Sequence, residues 1–207
     1  MNRELLALLV HDLKNQLGVL EAELSLLVEA PEAEAAHRAH LHCAQLRQRL
    51  IAYLTVYATP HARLTAQMED ESPREFLQQM LRVDSRPDGA PLSLDDCTAA
   101  PAFWYFDPRL VRLALEAALH NAWRFARSEV RLSAQLEDGF LVLAVEDDGL
   151  GLDAKDPAAR SSTGLGLELC AAVARAHQLG ERQGRVVLKP RDAAQRQRGT
   201  RFEIWLP

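Results

Sequence analysis

The chain has 207 residues, of which 48% are apolar and only 6% aromatic, and 29 acidic against 24 basic side chains leave a formal net charge of −5. That length suits one large domain or two small ones, and the apolar share is enough for a core. Acidic and basic residues are interspersed, which excludes a strongly basic nucleic-acid face, and the early apolar run "LLALLV" is too short to span a membrane.

The first segment carries Leu6, Leu9, Leu13, Leu17, Leu20, Leu24 and Leu27 at intervals of three and four, an a/d seam that predicts a helix over about residues 2–29. Such a helix is roughly 40 Å long at 1.5 Å per residue. Pro31 breaks the pattern, and Ala36, Cys43, Leu46, Leu50, Tyr53 and Tyr57 mark a second helix that ends near "ATPHAR". Two long helices with a tight connection predict an antiparallel hairpin. One hairpin cannot bury both seams, so a homodimer closing a four-helix bundle is expected.

After Pro60 the texture changes. "ARLTAQME" reads as a short strand, and "SPREFLQQMLRV" as a helix capped by Ser72 with Pro73 in its first turn. "SRPDGAP" is a loop, and "DPRLVRLALEAALHNAWRFAR" is an amphipathic helix opened by Asp107 and Pro108. The alternating runs "EVRLSAQLE" and "FLVLAVED" flank "DG", a hairpin signal. "TGLGLELCAAVARAHQLG" predicts a helix that stops at Gly180, and "GRVVLKPR" and "TRFEIWLP" complete a sheet. The fold class is therefore α plus α/β: a helical hairpin over residues 1–60 and a two-layer α/β sandwich over 61–207. Cys43, Cys97 and Cys170 are odd in number and form no CxxC pair, which fits reduced thiols in a cytoplasmic protein.

Four stretches can carry chemistry, and each also has a plain structural reading. In "VEDDGLGLD" a strand ends in Asp147, and Gly149 and Gly151 let backbone approach a flat ligand; a solvated turn fits the pattern too. In "STGLGL", Gly164 and Gly166 open a helix whose free N–H groups favour phosphate oxygens, though ordinary turn chemistry would look the same. In "LHNAWRF", Asn121 and Arg124 share one helix face, an amide oxygen for magnesium and a guanidinium for phosphate, or simply a solvated face. In "LLVHDLKNQL", His11 and Asn15 share a face while Asp12 lies one position round. His37, His40 and His42 read as a solvated face, and Trp104 and Trp123 as packing anchors.

In this order and spacing the stretches resemble the kinase core of the sensor histidine kinases of two-component systems. The likeness covers nearly the whole chain, to the terminal "GTRFEIWLP". It implies a Bergerat-type ATP-binding sandwich of the histidine kinase, gyrase and Hsp90 type, with ATP and Mg2+ as cofactors. By the resemblance His11 is the phosphoacceptor, Asp12 orients its imidazole and accepts its proton, and Asn15 aligns water for dephosphorylating a response regulator. Asn121 is implied as the magnesium ligand, Arg124 as the base near the phosphates and Phe125 as the ring beside adenine. Asp147 matches the acceptor of the adenine amine. Gly149, Gly151, Gly164 and Gly166 match the backbone around nucleotide and lid, and Thr200, after Gly199, a small hydroxyl on the final sheet.

The implied partners are a response regulator receiver domain and a second copy of the chain; since only about ten residues precede His11, input is expected from an upstream sensor partner, from a small ligand on the bundle or from a region outside this sequence. No nucleic-acid or membrane partner is expected. The sequence departs from the family at Ala117, which stands where a second asparagine is common, at Ser162, and in a short segment between Gly151 and Gly164 without phenylalanine. Ala117 also stands where gyrase-like ATPases carry a glutamate base, which disfavours simple hydrolysis. The short segment motivates a second hypothesis, a phosphotransfer or docking module whose second domain binds no ATP.

Overall fold

A computed structural model describes residues 3–57, 64–83, 90–95, 97–152, 165–192 and 197–207. The chain divides into two compact units, Met1–Ala62 and Arg63–Pro207. Residues 58–63, at the boundary between them, lie outside the described residues.

The first unit consists of α1 (Arg3–Glu29) and α2 (Ala33–Tyr57). Pro31 has no N–H to continue the ladder, and the connection is bracketed by Ala30 N–H on the Leu26 carbonyl and Ala36 N–H on that of Glu32. Leu20 and Ala39 are buried, and His42 Nδ1 meets Glu23 Oε2 at 2.8 Å, so the two helices touch along the seam. Leu17, Val19, Leu24, Leu26 and Val28 of α1 stay exposed.

The second unit starts with residues 64–68 in irregular conformation, followed by β1 (Glu69–Glu71) and α3 (Pro73–Val83). The strand expected over "ARLTAQME" thus begins only at Glu69, because the Gln67 N–H is held by Asp107 Oδ2 at 2.8 Å instead of by a neighbouring strand. The remaining elements are β2 (Leu92–Leu94), β3 (Trp104–Phe106), α4 (Pro108–Phe125), β4 (Val130–Glu137), β5 (Phe140–Asp147), α5 (Leu165–Ala176), β6 (Gln178–Leu179), β7 (Arg182–Gln183), β8 (Arg185–Asp192) and β9 (Gln197–Leu206). A five-stranded sheet runs β2-β4-β5-β9-β8, antiparallel except for the β2–β4 pair, and β1 pairs separately with β3. Asp138 and Gly139 both take positive φ, 50° and 70°, the left-handed pair that a two-residue hairpin between β4 and β5 requires.

Strand alternation sets the two layers. Leu141, Leu143 and Val145 of β5 align with Leu206, Ile204 and Phe202 of β9 and face the helices, where Val111, Leu115 and Leu119 of α4 and Leu169 and Val173 of α5 are buried. On the opposite face Glu146, Arg201, Glu203 and Lys189 form a ladder of ion pairs across three strands. The architecture is a two-layer α/β sandwich.

Helix α5 ends at Ala176, not at Gly180 as expected. His177 terminates it: its backbone N–H turns to the Ala174 carbonyl, and its Nδ1–H donates to the Val173 carbonyl at 2.8 Å. That leaves Nε2 as an acceptor, and it receives the Asp107 N–H at 3.0 Å. Asp107 in turn caps α4, accepting from the N–H groups of Arg109 and Leu110. Burial pushes the His177 pKa down, against opposing pulls from the Val173 carbonyl and the Asp107 charge.

The imidazole is therefore neutral in the fold and takes up a proton more readily once unfolded. Its stabilising effect is full above pH about 6.5 and is lost as the pH falls below that value. Melting temperature should drop between pH 7.5 and 5.5, with a smaller drop in His177→Gln. Equal slopes would remove His177 as the titrating group.

Candidate functional site

Asp147 closes β5 on the helix-facing side of the sheet, and it is only 5% exposed. Its Oδ1 accepts the Gly149 N–H at 2.8 Å, and the Thr200 N–H bonds the same carboxylate. Burial pushes its pKa up, more than those two donors pull it down; Asp148 adds repulsion and Arg191 offsets a little. Gly149 follows where only a glycine fits: a Cβ there would stand 2.3 Å from the Phe125 carbonyl oxygen. Gly199, at φ 153°, is equally confined, since its Cβ would lie 2.1 Å from the Asp147 carbonyl oxygen.

Between α4 and the sheet lies a cavity of about 390 Å³. One wall is α4, through Ala118, Asn121, Ala122 and Phe125; the other is the sheet, through Val145, Asp147, Thr200 and Phe202. Gly166, Leu167 and Cys170 of α5 close a third side. The walls are mostly apolar, with polar groups at few points, as suits a flat heteroaromatic ligand. Asp147 can accept from an N–H donor of such a ligand. Cys170 donates its Sγ–H to the Ala114 carbonyl at 3.3 Å, and burial pushes its thiol pKa up to about 12, so it stays a neutral lining group.

Residues 106–207 match the family described as Histidine kinase-, DNA gyrase B-, and HSP90-like ATPase. The match is confined to this segment. Among solved structures, the chain is similar to the Acinetobacter baumannii histidine kinase AdeS, with a TM-score of 0.68 and 20% identity over 95% of this chain and 96% of that one. Histidine kinase ThkA in complex with response regulator protein TrrA aligns with a TM-score of 0.63 and 12% identity, over 99% of this chain and 61% of the other. The cytoplasmic segment of histidine kinase QseC gives 0.50 and 18%, over 79% and 93%. No curated protein sequence matches. At these identities the structures speak for the fold, and with the family match they support a sensor histidine kinase core with an ATP-binding domain.

Within the segment that the family model matches, Asn121, Phe125, Asp147, Gly151, Gly166 and Thr200 line one cavity, and Gly149 adjoins it. Gly166 brings the first turn of α5 beside Asn121, its Cβ position 3.6 Å from the amide nitrogen. Arg124 lies outside the cavity wall, with its guanidinium 5.8 Å from the Phe125 ring centroid. Gly164 and Ser162 fall outside the described residues. His11 and Asp12 lie on α1 of the other unit, with side chains outside the described set; Asn15, also on α1, is exposed.

The sequence pattern assigns no role to Asp148. It accepts from the N–H groups of Arg127, Ser128 and Glu129 and from the Ser128 hydroxyl. Its partners lie 19 to 21 residues away, beyond any local pattern. Leu188 and Cys170 were also missed as lining residues, since apolar periodicity marks them only as core.

A raised carboxylate pKa means that ionised Asp147 costs the fold stability at neutral pH. Its favourable contribution is present below pH about 3.8 and is lost as the pH rises through the folded value. Asp147→Asn keeps an acceptor oxygen for Gly149 and removes the charge. The melting temperature at pH 7 should hold or rise while adenine-nucleotide affinity falls at least about tenfold. Calorimetry paired with thermal melts checks this; unchanged affinity would dismiss the carboxylate as the ligand's acceptor.

Proposed function

We propose that the protein is a histidine kinase that binds Mg-ATP in the α/β unit, phosphorylates its own His11 and passes the phosphoryl group to an aspartate of a response regulator. The observation that carries this is the buried, disfavoured charge of Asp147 in a mostly apolar cavity. A carboxylate kept there at a cost to folding makes sense as an acceptor for the exocyclic amine of adenine.

The donor set suits a nucleotide with a hard cation. Among the described residues no three acidic, histidine or cysteine side chains gather as a metal cage. Magnesium needs no such cage, because phosphate oxygens and water complete its shell. Asn121, exposed at the rim, offers one amide oxygen, and bound magnesium would supply charge neutralisation on the phosphates. Arg124, one turn along α4, adds a fixed positive charge near the same rim. The short N-terminal turn of α5 at Gly166 leaves backbone room for phosphate oxygens.

The transfer step balances simply. A ring nitrogen of His11 forms a bond to the γ-phosphorus, the bond to the bridging oxygen breaks, and ADP leaves. The imidazole proton passes to Asp12, the neighbouring carboxylate. In the second step an aspartate oxygen of the receiver takes the phosphoryl group and His11 regains its neutral ring. Asn15, exposed and four residues on from His11, is read as the amide that aligns water to hydrolyse the receiver's phosphoaspartate, releasing inorganic phosphate. The exposed leucines of α1 support a homodimeric four-helix bundle, and the likeness to a kinase solved with its response regulator supports a receiver as partner. No helix among the described residues is long and apolar enough to cross a membrane.

Incubation with γ-labelled ATP and magnesium should give acid-labile, base-stable label on the wild-type protein. In His11→Gln the label should fall at least about a hundredfold while nucleotide binding stays unchanged. Label that survives the substitution would put the acceptor elsewhere, and a protein that binds no Mg-ATP would favour a docking module. Asn15→Ala should slow regulator dephosphorylation about tenfold or more and leave self-labelling intact; equal loss of both activities would deny it a selective role.

A further inference from the structure

Three consecutive residues at the end of β5 point three ways. Asp147 faces the cavity, and Gly149 brings its backbone against the Phe125 carbonyl. Asp148, between them, reaches the turn that links α4 to β4. One carboxylate there takes the N–H of Arg127 at 2.8 Å, that of Ser128 at 3.0 Å and that of Glu129 at 3.2 Å, together with the Ser128 hydroxyl. Burial would raise its pKa, but the Ser128 hydroxyl and the three N–H donors hold it well below the usual carboxylate range.

We infer that Asp148 is a positioning residue for the nucleotide site: it fixes the last turn of α4 against the end of β5 and thereby sets the width of the cavity. The inference rests on the nucleotide reading of that cavity. Its logic is geometric. Asn121, Ala122 and Phe125 form the helical wall, and Asp147 stands in the facing wall. The turn at residues 126–129 is the covalent continuation of the helical wall, and Asp148 is the covalent neighbour of Asp147. The carboxylate closes this loop with four hydrogen bonds to one side and a peptide bond to the other.

Arg127 and Ser128 are exposed, so water can replace the carboxylate on their N–H groups once it is removed. The fold then loses little. What it loses is the fixed separation of the walls, and a flat ligand that touches both is sensitive to displacements well under 1 Å. The expected signature is weakened binding in a protein that still melts near the wild-type temperature.

The test compares Mg-ATP affinity of the full chain by calorimetry, at least about 15 °C below each variant's melting temperature so that unfolded protein does not contribute. Asp148→Ala should weaken Mg-ATP about tenfold or more. Asp148→Asn should recover to within about threefold of wild type, since its carbonyl still accepts from the turn and its amide can donate to Ser128. Ser128→Ala, which removes one hydrogen bond, should fall between, at about two- to threefold. Asp148→Ala binding within about twofold of wild type, or Asp148→Asn as weak as Asp148→Ala, would overturn the assignment; should Asp148→Ala fail to fold, the Asn and Ser128 variants decide it alone. Wild-type protein that binds no Mg-ATP overturns the kinase reading itself, whereas binding that ignores position 148 overturns only the clamp.

Discussion

The second unit is organised by how closely the end of β5 approaches the end of α4. Gly149 has no side chain because the Phe125 carbonyl occupies that space, and Gly199 has none because the Asp147 carbonyl does. Backbone atoms of three elements therefore meet at contact distance round one carboxylate. A substituent at either glycine meets backbone, which cannot swing away as a side chain can, so the helix, the strand end or the β9 start would have to shift. The cavity takes its width and its polar acceptor from this junction. Asn121 and Phe125 are placed by it from one side, Thr200 from the other.

Charge elsewhere in the unit is handled differently. Glu203 has no exposed side-chain surface, yet Lys189 at 2.7 Å, Arg201 at 2.6 Å and the Trp205 indole N–H at 3.0 Å surround it. Asp107 is equally buried and has four donors, from Gln67, Arg109 twice and Leu110. For both groups burial acts to raise the pKa, and for both the donors win, leaving it lowered. Asp147 is the exception among these buried acids, with two backbone donors and a raised pKa. A buried carboxylate with acceptor capacity left over is a poor structural solution and a good recognition group. The contrast comes from counting donors and needs no appeal to kinship.

Much of this is legible in the amino-acid sequence. Asp107 followed by Pro108 announces a capped helix, and Asp138–Gly139 between alternating runs announces the hairpin that places Asp147. The three-residue strands β1, β2 and β3 were not legible as such, because three residues contain too little alternation to register as a period. The end of α5 was misread for another reason. Gly180 looks like a stop signal, but His177 uses its own ring to end the helix four residues earlier, a tertiary use of a side chain that depends on Asp107, 70 positions away. Asp148 shows the same limit. Next to Asp147 in the chain it looks like a second solvated acid, and only the folded turn at Ser128 gives it a partner set.

The helical unit presents the opposite case, a pattern with more apolar surface than its visible partner can cover. Taking 100° per residue, Leu17, Leu24 and Val28 lie roughly 40–80° to one side of the buried Leu20, while Val19 and Leu26 lie about 100–120° to the other. Helix α2 occupies the direction of Leu20 and Glu23, where His42 reaches across. Leu24 remains 49% exposed and Val28 85%. Fully burying an exposed side chain of this size is worth roughly 1.5–3 kcal/mol, and Leu17 and Leu24, already about half buried, retain about half of that. Asn15 falls about 140° from Leu20, turned away from the α2-facing direction and adjoining the Val19–Leu26 flank rather than the Leu17–Val28 flank. A surface that covers the Leu17–Val28 flank therefore leaves the face of α1 that carries Asn15 uncovered.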